Sequence, residues 1–118
     1  DGVEAPKDIL GMFSSMAKLH SADLSGLDTS KTENMASLFC SDFLLDLIDI
    51  SMLDTGNATS LESMFEGCRS LRSVTLSGID LSSATTLWRM FRFCGASGNR
   101  TLYLYRQRHK RGTIKERI

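Results

Sequence analysis

The sequence predicts an α/β repeat fold: a right-handed solenoid of four coils, with parallel strands on one face and short helices on the other. Three observations lead there. A Met/Leu-Phe pair recurs every 26 residues, at Met12-Phe13, Leu38-Phe39, Met64-Phe65 and Met90-Phe91. The flanking apolar positions keep the same phase, with Ile9, Met35, Leu61 and Leu87 before the pairs and Leu24, Ile50, Leu76 and Leu102 after them. Within one unit the apolar period then changes from helical to alternating. A unit this small buries its apolar face only against its neighbours, which favours an extended surface over a pocket.

The third unit justifies each element in turn. Thr59-Ser60-Leu61-Glu62 reads as a capping box at a helix start, and Leu61, Met64 and Phe65 then share one helical face. Gly67 suits a left-handed helix end, so a helix of about two turns is expected. From Leu71 to Ser77 apolar and polar residues alternate, with Val74 and Leu76 inward and Ser73, Thr75 and Ser77 outward. Gly78-Ile79-Asp80 supplies a turn in which the short carboxylate bonds nearby backbone N–H groups. Stacked copies of such a unit form a parallel sheet, and the handedness rule for crossovers makes the winding right-handed. The Phe stripe is read as core, not as a cofactor box, because short helices gain their stability from packing.

The chain has 118 residues and a formal net charge of zero, distributed unevenly. Residues 1–105 carry eight Lys/Arg against thirteen Asp/Glu, and residues 106–118 carry six against one. This divides the chain into a lead-in (1–8), a four-coil solenoid (9–105) and a basic tail (106–118). The tail is read as a solvated extension following a last strand at residues 101–105, whose edge its charges protect from further pairing. No stretch approaches the ~20 apolar residues of a membrane span. The Asp at position 1 suggests a processed or excised piece.

Chemistry-bearing residues are few. His20 and His109 lie far apart, and no nucleophile elbow, phosphate loop or metal-ligand cluster accompanies them, so neither an enzyme nor a cofactor is expected. Asp28, Asp54 and Asp80 form a column that invites calcium, but each stands where a turn needs a local acceptor, and the turn reading is preferred. Cys40, Cys68 and Cys94 follow no close spacing. Cys68 and Cys94 are one period apart; buried thiols are preferred there over a disulfide. Asn57-Ala58-Thr59 and Asn99-Arg100-Thr101 match the glycosylation acceptor pattern and receive no assignment.

The outward side of the strands is the candidate binding face, because successive coils align alternate residues into columns. The columns are Ser21, Leu47, Ser73 and Asn99; Asp23, Asp49, Thr75 and Thr101; and Ser25, Ser51, Ser77 and Tyr103. Their hydroxyls and carboxylates suit a protein or glycan ligand.

The run from Ala22 to Phe39, the segment Met64-Phe65-Glu66-Gly67-Cys68-Arg69-Ser70-Leu71 and the run from Val74 to Ser83 together resemble the BspA-like leucine-rich repeat surface proteins. The resemblance covers roughly residues 9–105. It implies a leucine-rich-repeat-like solenoid at a cell surface or in the extracellular space, acting in protein binding and adhesion. The alternative is a structural spacer within a longer array, without a ligand of its own. The chain departs from the family pattern at Met16 and Asp42, which replace its Cys, and at Ser97 and Arg100, which replace Leu and Val.

Overall fold

The recurring Phe has a direct structural counterpart. In the computed structural model, which describes residues 2–76, 79–84, 89–95, 103–108 and 112–117, the four rings stack as one ladder. Centroids of Phe13, Phe39, Phe65 and Phe91 follow one another at 5.5, 5.6 and 5.5 Å, with planes inclined by 21°, 2° and 8°. Equivalent residues of successive units therefore lie side by side. Met35, Leu38, Leu45, Ile48, Ile50, Leu61, Met64, Leu71 and Val74 surround the two central rings, all buried.

The strand side is built as the alternation requires. β3 (Leu47–Asp49) and β4 (Ser73–Thr75) pair in parallel, with Leu47 beside Ser73 and Asp49 beside Thr75. Their central residues Ile48 and Val74 enter the core. On another side of the stack, β1 (Val3–Glu4) pairs in parallel with β2 (Leu27–Asp28). Isolated parallel bridges link Asp8 to Asn34 and Asn34 to Ser60.

The last strand differs from expectation in register. β5 (Tyr103–Arg108) pairs in parallel with β4, placing Tyr103 beside Ser73 and Tyr105 beside Thr75. The partner of Val74 is thus Leu104, not Arg100, so the fourth unit runs four residues longer than the others. This shift accounts for the misfit of Arg100 and corrects the columns: Tyr103 stands beside Ser73, and the neighbour of Thr75 is Tyr105. Asn99, Arg100 and Thr101 lie outside the described residues. The basic segment is structured as well. β6 (Gly112–Arg117) returns antiparallel along β5 and covers the edge that charge alone was expected to protect.

The expected helices are corrected: among the described residues there are none, and residues 62–67 form consecutive turns. Backbone geometry gives the reason. Each unit carries two left-handed positions four residues apart: Gly11, Ser37, Ser63 and Arg89, then Ser15, Ser41, Gly67 and Phe93, with φ between 55° and 79°. A left-handed residue every fourth position interrupts a right-handed helix. The N–H groups then divide between two directions. Met64, Glu66 and Cys68 donate to carbonyls three residues back, whereas Phe65 and Gly67 donate to Met90 and Arg92 in the next unit. The second unit repeats this, with Met35, Ser37, Phe39 and Ser41 donating to Ser60, Glu62, Met64 and Glu66. A two-turn helix is marginal alone, while this arrangement satisfies the same donors and also ties each unit to its neighbour. The capping box is replaced accordingly: Thr59 donates its hydroxyl to the Glu33 carbonyl, and the Ser60 hydroxyl accepts from the Glu62 N–H.

Candidate functional site

On the strand face, the exposed positions come in register. Leu47 is 50 % exposed and Asp49 is exposed, while Ser73 and Thr75 beside them are half-buried. Asp23 and Ser25 are exposed in the first unit but belong to no strand, so the face begins at the second unit. Ser51 is half-buried, and Ser77 and Thr101 lie outside the described residues. Tyr103 joins through its backbone, next to Ser73.

The carboxylates of this face are partly committed to the backbone. Asp49 Oδ1 accepts from the Ser51 N–H and hydroxyl, and Asp23 Oδ1 accepts from the Ser25 N–H at 2.9 Å. Those Ser25 bonds hold the Asp23 carboxyl below the usual carboxylate range. Each therefore presents to a ligand a carboxylate already oriented by its own turn.

The Asp28, Asp54 and Asp80 column makes turns of the same kind, accepting from Ser30, Gly56 and Ser82 N–H groups at 2.9–3.0 Å. Hydrogen bonds from Ser30 lower the Asp28 carboxyl, and those from Ser82 lower Asp80. Among the described residues no group of three His, Cys, Asp or Glu is placed to hold a metal. The residue after each Asp is the more unusual one. Buried Thr29 donates its hydroxyl to the Asp54 carbonyl at 3.0 Å and accepts from the Asp54 N–H at 2.9 Å. Thr55 does the same with Asp80, at 2.7 and 2.9 Å. One hydroxyl thus satisfies both backbone groups of the next unit. The period already displayed these threonines; their hydroxyls' double role was the part that went unread.

The column in which Met16 and Asp42 replace cysteine has its own chemistry. Met16, Asp42, Cys68 and Cys94 are equivalent, and the described cysteines are free thiols. Cys68 donates to the Phe39 carbonyl at 3.1 Å and Cys94 to the Phe65 carbonyl at 2.8 Å. The Cys94 thiol and burial hold Cys68 above the usual thiol range. Asp42, which takes the thiol's place in the second unit, is fully buried. Its Oδ1 accepts from the Met16 N–H at 2.7 Å, while Oδ2 has no hydrogen-bond partner. Burial pushes this carboxyl up to about 6. On the outer edge Arg72 pairs with Asp46 through two nitrogens, one contact being 2.6 Å, and Asp46 raises the Arg72 pKa in return.

Comparison with known families agrees with the repeat pattern. The family model described as "Mycoplasma protein of unknown function, DUF285" matches residues 7–106, and the chain belongs to that family. No curated protein and no solved structure matches it. Among the described residues no helix is long and apolar enough to cross a membrane.

Proposed function

We propose that this DUF285 chain forms a right-handed, leucine-rich-repeat-like solenoid. It acts as a non-enzymatic protein-binding and adhesion module at the cell surface. The carrying observation is the strand face, where Leu47 and Asp49 stand in register with Ser73 and Thr75 while Ile48 and Val74 between them are buried. Such a face gives a partner rows of side chains on a backbone that need not reorganise, which lowers the ordering cost of binding. The resemblance to BspA-like surface proteins supports the adhesive role and the extracellular location.

The test replaces Asp49, Ser51, Thr75 and Ser77 by Ala together and measures adherence of beads coated with the chain to cultured animal cells. The adhesion reading expects adherence to fall at least tenfold while the far-ultraviolet spectrum is retained and unfolding stays cooperative, the melting temperature falling only by what the lost Asp49–Ser51 turn bonds cost. Unchanged adherence with the fold intact would instead support a structural spacer.

A further inference from the structure

A cleft of about 340 Å³ opens along the turn side, away from the strand face, between repeats two to four. It is lined by Ser41, Phe43, Glu66, Gly67, Arg69 and Phe93. Its size falls at the lower end of the roughly 300–1,000 Å³ of small-ligand sites.

Three features of the lining need explanation. Phe43 and Phe93 are 44 % and 57 % exposed, although the other four phenylalanines are stacked in the ladder. Phe93 moreover occupies a left-handed position, with φ of 61°, where its equivalents are Ser15, Ser41 and Gly67. That conformation costs a bulky residue roughly 1–2 kcal/mol, and an exposed ring recovers little of it by burial. The Arg92 guanidinium lies 4.6 Å from the Phe93 ring centre, a contact worth about 0.5–1 kcal/mol at an exposed site; neither local propensity nor core packing accounts for the remainder. The arginine is also held in place: the Arg69 guanidinium lies 4.8 Å from the Phe43 ring centre. Stacking engages the guanidinium's face, whereas its N–H donors point outward in its plane. Opposite in charge is Glu66, one of whose carboxylate oxygens accepts the Ser63 hydroxyl at 3.0 Å.

We propose that this cleft is a binding site for a neutral sugar ring. Charge decides against the other classes. Glu66 and Arg69 share the lining, so an anionic ligand meets the carboxylate and a cationic one meets the guanidinium. A wholly apolar ligand leaves both charged groups desolvated without partners. A pyranose satisfies each of them, because its hydroxyls donate to Glu66 and accept from Arg69 while its C–H face lies on an aromatic ring. Gly67, left-handed at φ of 79°, forms part of the floor; a Cβ there would meet Ser41 Oγ at 3.3 Å. This site is independent of the strand face, and either can fail alone.

The experiment is a ¹⁵N–¹H NMR titration of the whole chain with methyl β-galactopyranoside, methyl α-mannopyranoside and N-acetylglucosamine, and with glucuronic acid and glucosamine as charged comparators. At least one neutral sugar is expected to move the amides of Ser41, Gly67 and Arg69, with no matching response to the charged pair. Those shifts should fall at least fivefold in Phe43→Ala and in Phe93→Gly, and persist in the strand-face quadruple variant. Phe93→Gly should also melt no lower than the parent, since glycine relieves the left-handed backbone. The proposal is overturned if no neutral sugar moves these amides, if the shifts survive both ring variants, if a charged sugar binds as well, or if Phe93→Gly melts lower.

Discussion

The first and third repeats carry the same apolar pattern and end up in different surroundings. Met64 is completely buried, whereas Met12, at the same place in the first repeat, is 45 % exposed. Phe65 stacks between two rings, and Phe13 against one. The difference lies in the neighbours, not in the residues: a repeat in this fold is buried from both sides only when another is stacked on each. Local sequence therefore sets which residues can enter the core, and position in the stack sets how much each contributes.

Truncating the ladder gives the largest effect. Phe65→Ala should destabilise the chain by roughly 3–5 kcal/mol, as for other buried aromatics, and Phe13→Ala by about half as much. Urea unfolding followed by circular dichroism measures both. Equal costs would break the comparison, because they would mean that burial from one side suffices.

Next come the buried threonines, which serve the same contrast through hydrogen bonds. Thr55→Val keeps the shape but leaves the N–H and C=O of Asp80 without the hydroxyl, and should cost roughly 2–3 kcal/mol. Ser25→Ala, at an exposed site in the first repeat, should stay within about 0.5 kcal/mol.

Asp42 supplies a pH-dependent difference between otherwise similar repeats. Its folded pKa of about 6 lies above the ordinary 3.8, so between those values the folded state binds more protons than the unfolded one. Its penalty is absent below the lower value and grows as pH rises, becoming complete above about 6. Asp42→Cys restores the thiol found at Cys68 and Cys94; it should stabilise the chain by about 2 kcal/mol at pH 7.5 and by little at pH 4. Denaturation midpoints at the two pH values check this, and a pH-independent gain would contradict the buried-carboxylate account. The smallest effect belongs to the exposed Arg72–Asp46 pair. Asp46→Asn should move the melting temperature no further than the scatter of replicate curves.

What was legible in the chain followed the period. The Phe ladder, the inward Ile48 and Val74, and the Asp28, Asp54 and Asp80 turns all recur at fixed phase, so repetition separated them from chance. The helices were misread because Leu61, Met64 and Phe65 have a spacing that suits a helix and a run of turns equally well. The deciding positions, Ser37, Ser41 and Ser63, adopt a left-handed backbone that serine does not announce; only Gly11 and Gly67 hinted at it. In the fourth repeat the misfit of Ser97 and Arg100 was visible, but its four-residue remedy depends on pairing with β4. The Asp42 substitution was visible but its burial was not, and Phe43 and Phe93 stayed hidden, for the opposite reason. They depart from the repeat, and a reading built on recurrence discounts departures.

Neighbouring repeats meet ring to ring. Nuclear Overhauser contacts among specifically labelled Phe side chains test that most directly. Contacts are expected between Phe13 and Phe39, Phe39 and Phe65, and Phe65 and Phe91, with none skipping a member. A folded chain lacking the Phe39–Phe65 contact, or showing one between Phe13 and Phe65, would contradict it.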